Sequence, residues 1–318
     1  MTRISTIALY SSLILVTLLT ILSWRYHGFY WRDDLGNVSA WMLNLSVGAL
    51  TLVLMTPLYQ WFYYQRLWEP LPDNAAVWLG GLLLYDFLYY WFHRLSHRLR
   101  ILWNVHSVHH QAERLVPSLG LRSSAFDFAV YWLLLAPLLW IGLSNEALIF
   151  TIAVHSGYQL FLHNETGYRG GILGDVLNMP SHHKVHHAIN SEYLDKNFGS
   201  ILIVWDRLFG TYVDGASESF KENPATIGVL GAYSVVNPLT SNILPWIESV
   251  KPITAEKDKT RSVEIVVVFI AVIAGMFNIL MENKNEIFVI LGMILLFLIA
   301  FFTRKFLNKS SNNSDKYN

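Results

Sequence analysis

The feature that most constrains the fold is a series of apolar segments. Each is about long enough to cross the hydrocarbon core of a bilayer, which takes about 20 residues of helix. Seven such segments lie at residues 6–24, 38–59, 75–92, 126–143, 147–162, 263–281 and 287–302. Hydrophobic residues make up 53% of the chain and charged residues only 14%, a balance that is unusual for a water-soluble domain. The sequence therefore predicts an all-α integral membrane protein with a helical transmembrane bundle.

The amino-acid composition also excludes several classes of function. The chain carries 23 basic and 23 acidic residues, so it has no net field that would attract nucleic acid. It contains no cysteine, which excludes disulfide scaffolds, thiolate zinc sites, cysteine-ligated iron–sulfur clusters and thiol nucleophiles. Of its 12 histidines, all except His27 fall between His93 and His187. This clustering is the main functional signal in the sequence.

Basic residues predict the orientation of the bundle, because short loops rich in Lys and Arg stay in the cytoplasm. The segment 93–124 carries five arginines, whereas the short loops on the opposite side hold only Arg66 and Lys284. We therefore expect a histidine-rich cap on the cytoplasmic side. Segments 126–143 and 147–162 would form a tight helical hairpin that returns to that side.

The expected organisation has five parts. Residues 1–72 would hold N-terminal transmembrane helices, 73–215 the histidine-rich domain and 216–262 a cytoplasmic connecting segment. Residues 263–303 would add C-terminal transmembrane helices, and the polar stretch 304–318 a disordered tail.

Three short histidine arrays carry the chemistry. Their spacings of three and four residues place imidazoles on one face of a helix, so each array is expected to point at a common centre. Eight imidazoles are too many for one tetrahedral ion, which takes four ligands. The pattern therefore predicts two metal ions. The arrays consist of His93 and His97, of His106, His109 and His110, and of His183, His186 and His187.

Further polar residues lie close to the arrays. His163, at the end of the fifth apolar segment, is expected to be a ninth ligand. His155 lies eight residues earlier on the same helix face and is a further candidate ligand. His182 points about 100° away from His183 on a helix, which favours a supporting or substrate-facing role. Asp86 and Glu165 are candidates to accept the outward N–H of a ligating imidazole.

The ligands do not select the metal, because imidazole binds zinc, copper, iron and nickel alike. A hydrolytic zinc site usually has Glu directly after its first histidine, whereas Arg94 follows His93 here. A zinc-dependent membrane hydrolase and a histidine-rich metal transporter remain alternatives. A haem electron carrier would use single axial histidines on facing helices. An all-imidazole site for two metals facing a lipid-filled cavity favours O₂ activation and oxidation of C–H bonds.

The motifs resemble those of the fatty acid hydroxylase superfamily, also called the sterol desaturase family. The resemblance covers roughly residues 86–213, and within the superfamily it is closest to the alkylglycerol monooxygenase branch and its bacterial relatives. It rests on several linked motifs in order: the His93/His97 pair, Leu-Trp-Asn-Val at 102–105, the array from His106 to His110, Met-Pro-Ser-His-His-Lys-Val-His-His at 179–187, Tyr-Leu-Asp-Lys-Asn-Phe-Gly at 193–199, and Trp-Asp-Arg-Leu-Phe-Gly-Thr at 205–211.

The resemblance implies a di-iron centre with two Fe²⁺ ions, held by the eight array histidines and one from the hairpin, where His163 fits best. It further implies hydroxylation, desaturation or ether cleavage of a sterol, fatty acyl or ether lipid within the bilayer. O₂ would be the co-substrate, and a separate electron-donor protein or reductant would supply electrons. In the alkylglycerol branch that reductant is tetrahydrobiopterin. That branch commonly has Glu after the second histidine of its first array, where this chain has Arg98.

Overall fold

The computed structural model describes residues 30–66, 69–229 and 236–247, with residues 18, 21 and 25 as isolated positions. Over this part of the chain the structure is helical, and the only β contacts are two isolated bridges. Two 3₁₀ helices cover Pro117–Leu121 and Gly171–Asp175. The α-helices are α1 Trp31–Tyr64, α2 Ala75–Ser96, α3 Arg100–His110, α4 Asp127–Val130, α5 Trp132–Trp140, α6 Asn145–Leu162, α7 Pro180–His186, α8 Val204–Phe209, α9 Glu218–Glu222 and α10 Pro238–Ile247.

Two of these helices are long and apolar enough to cross a membrane, α1 with 34 residues and α2 with 22. They correspond to the predicted segments 38–59 and 75–92. Only 17% of the apolar window of α1 is buried within the protein, against 50% for α2. The two candidate spans therefore differ in their surroundings, since α1 leaves most of its apolar surface exposed and α2 lies in the core.

The predicted span at 126–143 is not one continuous helix, which corrects the sequence-based expectation. It is divided into α4, with four residues, and α5, with nine, and α5 contains Pro137. Even together, the 14 residues 127–140 extend only about 21 Å, which is short of the roughly 30 Å hydrocarbon core. The helix ends just before Gly142, whose positive φ of 81° turns the chain.

The segment 147–162 does form a single helix, α6, which begins at the Ser144 cap. It has 18 residues but is not one of the two candidate spans. The predicted hairpin thus has one continuous arm and one broken arm. The predicted spans 263–281 and 287–302 and the tail 304–318 lie outside the described residues, as does 6–24 apart from positions 18 and 21.

Local sequence explains why α2 forms and where it packs. The helix begins after Asn74, whose side-chain oxygen accepts the Val77 N–H at 3.0 Å as an N-terminal cap. Its C-terminal half is buried on most faces and packs in one apolar core with α5, α6 and α8. Both the first histidine pair and the buried Asp86 are carried on this rigid half.

Asp86 connects α2 to the segment that follows the third histidine array. Its carboxylate accepts the backbone N–H groups of Ile201 at 2.7 Å and Leu202 at 3.2 Å, and the indole N–H of Trp205 at 2.8 Å. The side chain is 1% exposed, so these three donors cannot turn to water if the carboxylate is lost. Asp86 therefore anchors residues 201–205 to α2, rather than supporting a histidine as expected.

We predict that Asp86→Ala lowers the free energy of unfolding by at least about 3 kcal/mol, because three buried donors lose their acceptor. Asp73→Ala is the matched control, since it removes a carboxylate that also accepts an indole N–H, from Trp78, but at an exposed position. Unfolding of both variants in detergent measures the difference. Equal stability of Asp86→Ala and Asp73→Ala would contradict the anchoring role.

Candidate metal centre

Nine histidines come together at the C-terminal ends of α2 and α6 and along α3 and α7. They form two groups. Within each group, every histidine contributes one ring nitrogen, and these nitrogens all lie within 4.8 Å of one another. The groups are in contact, since the rings of His110 and His187 stack with centroids 4.5 Å apart. The first group consists of His93, His97, His106, His110 and His186, and the second of His109, His163, His183 and His187.

The second and third arrays divide between the two groups, which corrects the expectation that each array points at one centre. On an α-helix, positions i and i+4 differ by about 40°, whereas position i+3 lies about 60° to the other side. His106 and His110 therefore enter the first group and His109 the second. In α7 the pair at positions i and i+4, His183 and His187, enters the second group instead.

Backbone carbonyl groups fix the protonation of four of these rings. Each of the four Nδ1 atoms lies 2.6–3.0 Å from a carbonyl oxygen, which can only accept, so Nδ1 carries the proton. The opposite nitrogen, Nε2, then presents a lone pair, which is the form that binds a metal ion. The four pairs are His93 with Phe198, His109 with Arg122, His163 with Gln159, and His186 with Lys196.

This arrangement makes lone pairs face one another. The Nε2 atoms of His109 and His163 are 3.0 Å apart, although neither carries a proton. Two lone pairs at this distance repel each other unless a cation lies between them. The distance is also about that of adjacent ligand atoms around an ion with bonds of roughly 2.1 Å. In the first group, a carbonyl holds the Nδ1 proton of His186, and its buried Nε2 lone pair has no hydrogen-bond partner among the described residues. The donor set thus fits metal ions in both groups.

Burial keeps six of the array imidazoles neutral. Removal from water, reinforced by neighbouring imidazoles, lowers the pKa of His106, His110, His183, His186 and His187 well below the ordinary value. The pKa of His109 falls to about 4 for the same main reason. Neutral rings have a free lone pair, so they can bind a metal ion at neutral pH without first losing a proton.

The loop that follows α7 explains why the Asp-Lys-Asn run is needed. Asp195 and Asn197 adopt left-handed backbone conformations, with φ of 57° and 54°. Asp and Asn tolerate this region better than other residues with a Cβ. The two turns direct the carbonyl groups of Lys196 and Phe198 at His186 and His93. The loop therefore supplies the acceptors that orient two ligands of the first group.

Side chains hold this loop in place. The Asn197 amide donates to the carbonyl groups of His182 at 2.9 Å and Val213 at 2.8 Å. The Asp206 carboxylate accepts the N–H groups of Phe198 and Gly199, both at 2.7 Å, and burial raises its pKa to about 6. These bonds fix the positions of the Lys196 and Phe198 carbonyl groups.

A carboxylate also faces the first group. Asp195 lies 3.5 Å from Nδ1 of His97 and 3.2 Å from the guanidinium of Arg98. Arg98 therefore has a specific counter-ion here, and a Glu at this position would face Asp195 with like charge. Asp195 is shared between the ring and the guanidinium, which places a fixed negative charge beside one candidate ligand.

The remaining predicted residues lie outside both groups. His182 is buried and its Nδ1 faces the Met179 N–H at 3.3 Å, so it caps α7. Glu165 lies 3.9 Å from the guanidinium of Arg114. His155 is buried two turns before the end of α6, against the rings of Tyr85 and Tyr89.

A cavity of about 130 Å³ adjoins the histidines. His93 and His106 of the first group line it, as do His109 and His163 of the second. A molecule in this cavity would therefore touch ligands of both groups. Gln159, between His155 and His163 on α6, also lines it. Sequence reasoning did not identify other polar walls, which carry no motif: Arg122, Ser123, Asp127 and Tyr131. It also missed the orienting carbonyl groups, because any residue type can supply them.

The fold and the site define a helical protein with two adjoining groups of histidines that could each hold a metal ion. Residues 78–211 match the family model described as fatty acid hydroxylase. The matched range holds all nine histidines. The resemblance predicted from the motifs is confirmed.

Individual relatives agree with this assignment. Alkylglycerol monooxygenase of Homo sapiens is 37% identical over 183 residues, which cover 57% of this chain and 40% of the relative. The Danio rerio protein of the same name is 34% identical over 208 residues, covering 64% and 46%. Ornithine lipid hydroxylase OlsE of Rhizobium tropici is 31% identical over 161 residues, covering 47% and 46%. The chain thus spans less than half the length of these curated relatives. No solved structure gives a significant match.

We predict that Asn197→Val removes metal from the first group, because it loses three side-chain hydrogen bonds and forces a β-branched residue into a left-handed conformation that costs about 1–3 kcal/mol. Asn197→Gly keeps the backbone conformation and should retain more metal. Metal content per chain and thermal unfolding measure both effects. Equal metal content in the two variants would show that the backbone conformation is not what matters.

Proposed function

We propose that the chain is a membrane-bound, O₂-dependent oxidase that acts on a C–H bond of a lipid and uses two iron ions held by the nine histidines. The observation that carries this proposal is the facing of unprotonated Nε2 atoms in a buried site, which needs cations. When bound, a pair of iron ions supplies the oxidising power that an unactivated C–H bond requires. The chain itself supplies the orientation of the ligands, the cavity and the exclusion of water.

The choice of a lipid as substrate rests on the candidate spans and on the relatives. The relatives are named for alkylglycerol, ornithine lipid and, in Rattus norvegicus, methylsterol, and each name describes oxygenation of a membrane lipid. The cavity next to both histidine groups would receive the part of the lipid that reacts. Hydroxylation, desaturation and ether cleavage all begin by breaking a C–H bond, and the proposal covers the three.

O₂ would be the second substrate, and electrons would come from an external donor, either a protein or a small reductant such as tetrahydrobiopterin. The functional unit would be the domain 73–215, with 1–72 and 263–303 as flanking membrane helices and 216–262 as a connecting segment. A metal transporter would need ligands along a crossing path. The two groups here lie at helix ends in one cluster.

The first test combines metal content with oxygenation. The purified chain should hold two irons, and membranes that contain it should transfer oxygen from isotopically labelled O₂ to lipid, or consume O₂ as lipid is desaturated. His106→Ala and His109→Ala remove one ligand from each group, so each should lose about half of the iron and at least ~100-fold of the activity. Lys184→Ala, within the third array but in neither group, is the matched control.

Two results would refute this proposal. Full iron content and full turnover in both His106→Ala and His109→Ala would show that the two histidine groups do not bind the catalytic iron. Bound zinc together with hydrolysis of a lipid and no O₂ consumption would instead support the membrane hydrolase.

The second test of the proposal concerns orientation. We predict that the histidine groups lie on the cytoplasmic side. Labelling of single cysteines is well suited, because the chain has no thiol of its own. Ser191 is exposed beyond the third array, and Ala76 is exposed at the opposite end of α2. An impermeant reagent outside intact cells should label Ala76→Cys, and should label Ser191→Cys only after the membrane is opened. The reverse pattern would contradict the orientation. Ser107, in the middle of α3, is fully buried and cannot report it.

A further inference from the structure

His155 is a buried polar residue that the two metal-binding groups leave unexplained. The side chain is only 5% exposed, and its Nε2 has no hydrogen-bond partner among the described residues. Leaving a buried polar atom unpaired costs about 1–3 kcal/mol. Such a cost in a folded protein calls for a partner that arrives from outside, and His155 lines the cavity that adjoins both groups.

The position of His155 relates it to the candidate metal centre. His155, Gln159 and His163 follow one another at intervals of four on one face of α6, and all three line the cavity. Two helical turns, about 11–12 Å, separate His155 from His163 along the axis. On α2, Tyr89 packs against His155 at 4.3 Å and against His93 at 5.4 Å between ring centroids. His155 thus forms the part of the wall beyond the metal ligands.

Three charged or amide groups of the wall already have partners. Arg122 donates to the Val108 carbonyl at 2.7 Å and to the Ser241 hydroxyl at 2.9 Å. Asp127 is hydrogen-bonded to the Ser123 side chain. Gln159 donates to the Ser200 hydroxyl at 2.5 Å. The cavity therefore offers no uncommitted cation to an anionic head group.

The chemistry of a neutral imidazole narrows the class of ligand. The ring has one N–H donor and one acceptor nitrogen. A hydroxyl group also donates and accepts, so it can complement the ring whichever tautomer is present. A plain hydrocarbon segment could not satisfy the buried nitrogen. A cavity that served only the middle of an acyl chain would gain nothing from this residue.

We propose that His155 is a substrate-recognition residue that hydrogen-bonds a hydroxyl group of the lipid bound in the cavity next to the metal centre. The ligand class is a neutral, hydroxyl-bearing lipid whose hydroxyl lies within a few bonds of the carbon that reacts. This rests on the proposed function only in calling the ligand a substrate. Binding itself can be measured without any turnover.

The test uses the full chain in lipid nanodiscs, loaded with zinc, which is redox-inert, so that no oxidation occurs. Equilibrium binding of radiolabelled hexadecan-1-ol is compared with that of hexadecane at equal mole fraction in the bilayer. We expect the alcohol to bind roughly tenfold more tightly, the effect of one buried hydrogen bond. Equal binding of the two ligands, or no binding of either, would overturn the proposal.

Variants then identify the residue responsible. His155→Phe keeps the ring volume and should abolish the preference for the alcohol, whereas His155→Gln restores a donor and an acceptor and should recover part of it. Thr151→Val is the matched control, because Thr151 is also a buried residue of α6 with an unpartnered hydroxyl but does not line the cavity. It should bind hexadecan-1-ol like the unmodified chain.

The outcomes separate this inference from the oxidase proposal. Zinc content must equal that of the unmodified chain in every variant, which also shows that His155 is not a metal ligand. A preference for the alcohol that persists in His155→Phe would overturn the inference while leaving the oxidase proposal intact. A preference lost only in His155→Phe, in a protein whose iron-loaded form consumes no O₂ with any lipid, would support the recognition role and refute the oxidase.

Discussion

A carbonyl oxygen can accept a hydrogen bond but cannot donate one, and the candidate metal centre depends on this asymmetry. Carbonyl groups of Arg122 and Gln159 hold the Nδ1 protons of His109 and His163, so their Nε2 atoms face each other unprotonated at 3.0 Å. A positive charge bound between the two nitrogens relieves that repulsion. Much of the surrounding structure, from the left-handed loop to Asp206, serves to keep such carbonyl groups in position.

The set of nine histidines that come together could be predicted from the sequence, because helical spacing is a local property. Histidines three and four residues apart must share a helix face, and His163 lies where a helix was expected to end. The division of the arrays was not predicted. It depends on how α3 and α7 are rotated relative to each other, which is set by packing between distant segments. The separation of His109 from His106 and His110 is visible only once both helices are in place.

Other features could not be predicted because they depend on tertiary contacts. Hydropathy identified α1 and α2 but could not show that 126–143 is divided into two short helices. Asp86 was expected to support a histidine, as buried carboxylates near metal sites often do. It instead accepts three donors from residues 201–205. The role of the Asp-Lys-Asn run lies in its backbone conformation, and no pattern of side-chain chemistry reveals which carbonyl group a turn will direct at a ring.

The loop that orients the first group also sets an order of events during biosynthesis. Its carbonyl groups at 196 and 198 are fixed by Asn197 and Asp206, which the ribosome adds only after every ligand has been made. A nascent chain that ends at the third array would have all nine imidazoles but not the bonds that choose the protonated nitrogen of His93 and His186. The rings of His93 and His186 therefore acquire their final orientation only after the chain beyond the third array has been made and folded onto them.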